Sequence, residues 1–168
     1  MDVRPARLDD AAAIAAVHVR TWQAAYEHVF GTERLAAIDL PARAERWRQR
    51  LAGPERHDTV LVAEDEGSVV GFASCGESRD ATGEGELYAI YALPGAWGSG
   101  AGSMLMAATL AALRKGGGFA TATLWVLEDN PRARRFYERE GWTPDNERRV
   151  EEFLDVPVTE VRYRISLD

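Results

Sequence analysis

Apolar residues first fall on a helical period along Ile14, Val17, His18, Thr21, Trp22, Ala25, Tyr26 and Val29. Their spacing of i, i+3, i+4, i+7, i+8, i+11, i+12 and i+15 is one face of a 3.6-residue repeat. Before it, Val3 to Arg7 reads as a short strand, Asp9 and Asp10 offer N-capping carboxylates, and Gly31 stops the helix. A second helical piece runs from about Pro41 to Leu51. There Trp47 and Leu51 share a face among Arg43, Arg46, Arg48 and Arg50, and Gly53-Pro54 ends it. The pattern then turns β-rich. Thr59 to Glu64 and Ser68 to Cys75 flank Asp65-Glu66-Gly67 and predict an antiparallel hairpin. After a polar loop from Glu77 to Gly85, an apolar strand runs from Glu86 to Leu93 and ends at Pro94-Gly95.

Gly98-Ser99-Gly100-Ala101-Gly102 then leads into the strong helix formers Met104 to Leu113, which Gly116-Gly117-Gly118 closes. Phe119 to Leu127 reads as a strand, and Pro131 opens a helix through about Glu140 that Gly141 caps. Terminal strands near Arg148 to Asp155 and Glu160 to Ser166 complete the pattern. The order β-α-α-β-β-β-α-β-α-β-β predicts a mixed α/β sheet, antiparallel in its first half. No repeat or long polar linker divides the chain, so residues 1–168 are read as one domain.

Composition narrows the class. A chain with 46% hydrophobic and 28% charged residues is that of a globular protein. No apolar run reaches the ~20 residues of a membrane span and the first residues carry no signal-like stretch, so a cytoplasmic address and no membrane partner are expected. Cys75 is the sole cysteine and sits in an apolar strand, which excludes an internal disulfide and reads as a core thiol. His18, His28 and His57 have no metal-ligand spacing, and His18, on the apolar helix face, reads as a packing residue. The net charge of −7 argues against nucleic acid, whose phosphates need clustered positive charge, and leans towards cationic partners. A homodimer is the default assembly.

Alternate glycines let backbone approach a ligand, and a turn opening a helix presents free N–H groups to an anion. The loop from Trp97 to Ser103 is therefore a candidate phosphate site, against the plainer reading of a turn shaped only by backbone geometry. A P-loop does not fit, because Ala101 stands where the lysine is needed. A dinucleotide fingerprint fits poorly: Ser103 fills its third glycine position, no acidic residue lies in Thr121 to Trp125, and too little chain follows for the fold.

Tyr91-Ala92-Leu93-Pro94-Gly95-Ala96-Trp97-Gly98-Ser99-Gly100-Ala101-Gly102-Ser103-Met104-Leu105 resembles motif A of the GCN5-related N-acetyltransferases, a strand, a bend and Arg/Gln-x-x-Gly-x-Gly/Ala opening a helix. Asn130-Pro131-Arg132-Ala133-Arg134-Arg135-Phe136-Tyr137-Glu138-Arg139-Glu140-Gly141-Trp142 is similar to motif B. The resemblance covers about residues 59 to 143, and the segment Thr21 to Tyr26 is similar to many bacterial members. Trp97 departs from the usual Arg or Gln. The resemblance implies a largely antiparallel sheet whose splayed strands form a groove for acetyl-CoA, with transfer of an acetyl group to a primary amine of a small molecule, peptide or protein. It implies cofactor contacts from Tyr91, Ala92, Leu93, Trp97, Gly98, Ser99, Gly100, Ala101, Gly102, Ser103, Asn130, Ala133, Phe136 and Tyr137. One or two of Arg132, Arg134, Arg135 and Arg139 would meet the 3′-phosphate.

A lysine-like amine is mostly protonated at neutral pH and needs a base. Glu86 stands where the family often places one, with Glu84 as its substitute. Tyr137 matches the family's general acid for the departing thiolate, and a backbone N–H in Tyr91 to Leu93 would hold the oxyanion. Trp22, Tyr26 and Trp47 could line the acceptor pocket, with core packing the plainer role for at least two of them. The competing class is a noncatalytic acyl-CoA-binding or regulatory module of the same fold; a dinucleotide oxidoreductase is the distant third.

Overall fold

Seven strands form one sheet in the order β1-β2-β3-β4-β5-β7-β6. They are β1 (Asp2–Pro5), β2 (Thr59–Asp65), β3 (Ser68–Glu77), β4 (Gly85–Ala92), β5 (Thr121–Leu127), β6 (Thr143–Phe153) and β7 (Val156–Ser166). The computed structural model describes residues 1–53 and 57–168. Every neighbouring pair is antiparallel except β4 and β5, which run parallel, so the largely antiparallel mixed sheet predicted from the sequence is the one observed. The helices are α1 (Ala11–Ala25), α2 (Glu27–Phe30), α3 (Thr32–Ala36), α4 (Leu40–Ala52), α5 (Ala101–Ala112) and α6 (Pro131–Arg139).

The two faces of the sheet are filled by different helices. Ile14 and Val17 of α1 and Trp47 of α4 bury against Val60, Val62 and Phe72 on one face. Leu105 and Met106 of α5 bury on the other, with Ala73, Leu87 and Leu124, and Tyr137 and Trp142 extend that layer. The alternation of the strands dictates this division, since neighbouring residues point to opposite faces. Cys75 lies in the α5 layer at 1% exposure.

Several boundaries differ from the sequence reading for local reasons. The long first helix breaks at Tyr26 (φ −123°, ψ 15°), and Gly31 at φ 78° separates α2 from the unforeseen α3. Asp10 stands at the N-cap position of α1 but its carboxylate makes no capping bond there: it accepts from the Arg7 amide at 2.7 Å in a preceding 3-10 turn and pairs with Arg4. Asp39 caps α4 by accepting from the Ala42 amide at 2.8 Å, and Gly53 is its C-cap; Pro54 lies outside the described residues. The strand β6 starts earlier than its charge pattern suggested, with a register shift between Pro144 and Arg148. Its hairpin to β7 turns on Leu154 and Asp155, both at positive φ (50° and 61°). A branched apolar residue is unfavourable there, and here Leu154 packs on the cluster containing Trp22 and Tyr26.

Candidate active site

The strands β4 and β5 pair over only three residues, ending at Leu87 opposite Leu124. On the other edge of β4, Ala89 pairs with Ser74 and Leu87 with Cys75, so Tyr88 is the extra residue of a bulge. A bulge bends its strand and ends pairing. Beyond it the two strands part, and a cavity of about 950 Å³ opens between them. That is at the upper end of the range for sites holding a sizeable ligand.

Beyond the bulge, one edge of β4 faces the opening. The amide of Leu93 donates to the Val70 carbonyl on β3 at 2.8 Å, so strand alternation turns the amides of Ala92 and Ile90 the other way. This limits the expected oxyanion donor to Ala92 within Tyr91 to Leu93. The Ala92 carbonyl is occupied: it accepts from Thr21 Oγ1 at 3.0 Å and from Trp97 Nε1 at 2.8 Å. Trp97 also supports the Arg132 guanidinium, 3.5 Å above its ring centre. The tryptophan that replaces the expected Arg or Gln thus ties the end of β4 to the start of α6.

The glycine loop makes an anion cradle. Gly98 and Gly100 have φ of 80° and 95°, where a side chain is strained. The first helical bond of α5 runs from the Met104 amide to the Gly100 carbonyl at 3.0 Å, so the amides of Gly102 and Ser103 precede the ladder and are free for a ligand. Gly102 is needed for a second reason: a Cβ there would stand 3.2 Å from the Phe136 ring. Arg132, Arg135 and Arg139 line the same end. Burial, then repulsion from Arg135 and Arg139, lowers the pKa of Arg132. Arg134 turns away to Tyr163 Oη at 3.0 Å and the Glu128 carbonyl. Amides at a helix start beside three arginines fit the pyrophosphate and 3′-phosphate of a coenzyme A thioester.

Three tyrosines and an asparagine meet in the middle. Asn130 caps α6, its Oδ1 accepting from the Ala133 amide and its Nδ2 donating to Tyr26 Oη, both at 3.1 Å. Tyr137 is 8% exposed, lines the cavity, and its hydroxyl has no hydrogen-bond partner among the described residues. Burial first, then the neighbouring Tyr91, pushes its pKa up. Burial first, then the neighbouring Tyr91 and Tyr137, pushes the pKa of Tyr26 up as well.

The far end is aromatic and charged. Trp22 stacks on Phe30 (5.4 Å, 4°) and meets Phe153 edge-on at 5.8 Å. His18 stacks on Tyr91 at 5.0 Å, and burial, then Arg43, lowers its pKa to about 3, so the ring is neutral. Arg149 covers Trp125 at 4.2 Å and binds Glu160 Oε2 at 2.7 Å. Trp125 Nε1 in turn donates to Asp80 at 2.7 Å, which pins the loop between β3 and β4 over this end.

Most of the residues singled out from sequence come together here: Trp22, Tyr26, Tyr91, Ala92, Trp97, Gly98, Gly100, Gly102, Ser103, Asn130, Ala133, Phe136 and Tyr137 all line the cavity. Others do not. Leu93 packs into the α1–α4 layer, the Ser99 hydroxyl donates to the Ala96 carbonyl, and Ala101 is fully buried. Glu86, expected as the base, is 1% exposed beneath Arg79, which donates to it from Nη2 at 2.5 Å and from its amide at 2.9 Å. Glu84 is held by Arg164 at 2.5 Å, away from the cavity. The carboxylates that do line it are Glu152 and Glu160. Along with Arg43, Arg79, Trp125 and Arg149 they escaped the sequence reading, because they lie on five separate elements and loops and share no local motif.

Residues 17–142 match the model of the acetyltransferase (GNAT) family. The chain belongs to this family. An uncharacterized N-acetyltransferase of Bacillus subtilis, YuaI, is 39% identical over 133 residues, covering 77% of this chain and 73% of its own. Among solved structures, the PaiA N-acetyltransferase of Thermoplasma acidophilum in complex with coenzyme A aligns over 98% of both chains (TM-score 0.76, 16% identity). YncA of Salmonella typhimurium, a protein solved with acetyl-CoA, aligns over all of this chain and 94% of its own (TM-score 0.72, 22% identity). These two likenesses establish the GNAT fold. No helix among the described residues is long and apolar enough to cross a membrane.

Proposed function

We propose that the protein transfers an acetyl group from acetyl-CoA to a primary amine by direct attack. The observation that carries this reading is the parting of β4 from β5, with a free-amide cradle at one end and the unpartnered Tyr137 hydroxyl in the middle. Acetyl-CoA supplies an acyl group activated as a thioester. Gly98 to Ser103 with Arg132, Arg135 and Arg139 would hold its phosphates, and the Ala92 amide would polarise its carbonyl.

The N–C bond forms as the C–S bond breaks, giving an amide and a thiol. The proton lost by the amine balances the one gained by sulfur. Tyr137 holds the second proton. Its raised pKa keeps it protonated at neutral pH, and donation to a thiolate in the same dry site becomes feasible because burial disfavours that anion too. For the first proton, Glu160 is like Glu86 in being paired with an arginine, here Arg149, but, unlike Glu86, it has a place on the cavity wall, as does Glu152. No enzyme thiol intervenes, since Cys75 is sealed in the core and its pKa is pushed up to about 12 by burial, then by Asp58.

Calorimetric titration with acetyl-CoA, followed by thiol release on a broad amine panel, tests the reading. Micromolar binding and turnover are expected, with Tyr137→Phe lowering kcat by about 100-fold or more while acetyl-CoA still binds. Absence of acetyl-CoA binding overturns the reading. Binding without turnover on any amine favours a noncatalytic acyl-CoA-binding module instead.

A further inference from the structure

The wall that α1 and α4 give to the cavity carries a cation and no carboxylate. Arg43 of α4 lines the cavity half-buried, and its guanidinium has no hydrogen bond or ion pair among the described residues. The other arginines at this end are occupied, Arg79 by Glu86 and Arg149 by Glu160. What surrounds Arg43 is the neutral His18 and Tyr91, with Arg46 beside it, and burial lowers its pKa ahead of Arg46. A guanidinium withdrawn from water without an anion is costly, and a bound anion offsets that cost.

The opposite wall carries two carboxylates and one cation, Arg149, which is paired with Glu160, so one negative charge is left over. Glu152 on β6 and Glu160 on β7 line the cavity from the far side of β5. The two walls meet where Trp22, beside Tyr26, packs edge-on against Phe153 of β6 at 5.8 Å. We propose that the acceptor is a zwitterion of the amino-acid class, a primary amine that also bears a carboxylate, with the carboxylate on Arg43 and the ammonium towards Glu160. Arginine suits this role because its planar fork binds a carboxylate through two parallel hydrogen bonds. The chain's net charge of −7 favours cations at long range, yet fields between exposed charges fade over about 8 Å in physiological salt, and at contact the local arrangement decides.

This inference rests on the acetyltransferase reading, and the test separates the two. Aliphatic and aromatic amino acids, each with its amide and its decarboxylated amine, are offered to the full chain saturated with acetyl-CoA, and thiol release and thermal shift are recorded. The expected result is a kcat/KM at least 10-fold higher for one or more free acids than for the matched amide and amine. Arg43→Gln should abolish that preference through KM, and Arg43→Lys should restore part of it. Acetyl-CoA titration of each variant reports whether the cofactor groove is intact. Turnover of amides or simple amines at equal rates, or a preference unchanged in Arg43→Gln, overturns the zwitterion assignment and leaves the acetyltransferase reading standing. Neither turnover nor thermal shift with any free acid, in a protein that binds acetyl-CoA, also overturns it.

Discussion

Trp97 shows how one residue changes its means while keeping its place. An arginine or glutamine there would offer side-chain donors, whereas the indole offers one N–H, spent on Ala92, and a flat face for Arg132. A hydrogen bond of this kind is worth about 1 kcal/mol net, and a partly desolvated cation over a ring about 0.5–2 kcal/mol. Trp97→Ala should therefore weaken acetyl-CoA binding by roughly 10- to 150-fold, measured by calorimetry, with Trp97→Gln recovering part through its donor. An unchanged affinity would show that Trp97 only fills space. Much of one end of the cavity was legible at this scale because its lining comes from two contiguous runs, Trp97 to Ser103 and Asn130 to Tyr137. The surroundings of Glu86 were not legible, because sequence gives a strand position but not the Arg79 that covers it.

At the scale of elements, the contact between the first turn of α5 and α6 is tight enough to be probed. Gly102 has no room for a methyl group without movement of Phe136, and Phe136 shares its helix with Asn130 and Tyr137. Gly102→Val should push α6 outward and destabilise the fold by about 1–3 kcal/mol, with a larger loss of acetyl-CoA affinity than of stability; urea unfolding and calorimetry on the same variant measure both. Strands and helices were readable from local periodicity and glycine or proline punctuation. The break at Tyr26 and the insertion of β7 between β5 and β6 were not, since both are settled by packing between segments distant in the chain. Asn130, for instance, bonds Tyr26 across more than a hundred residues.

For the whole molecule, the neutral His18 links stability to acidity. Its pKa falls from an ordinary value near 6.5 to about 3 on folding, so the unfolded chain binds the proton better. Its contribution is complete above pH 6.5 and is lost as pH falls from 6.5 towards 3. The slope is at most about 1.4 kcal/mol per pH unit. Arg43 and Tyr91 are the charged and titratable groups facing it. In His18→Leu, the loss of unfolding free energy between pH 7 and pH 5 should shrink by about 2 kcal/mol, read from urea titrations at both pH values. An equal loss in both proteins would mean that the ring can protonate in place.

The three-residue join between β4 and β5 has a wider consequence. The sheet has a seam, and the chain does not close it. A thioester arm lying in the seam, as the proposed function requires, would supply contacts that a strand would otherwise make, and so would be part of the architecture as well as a reactant. At a concentration 100 times its Kd, a ligand adds about 2.7 kcal/mol to stability, a large fraction of what holds an ordinary domain folded. Thermal unfolding of the protein with and without a saturating concentration of acetyl-CoA should therefore show a rise in midpoint; an unchanged midpoint at 100 times the Kd would mean that the seam is not where the donor sits.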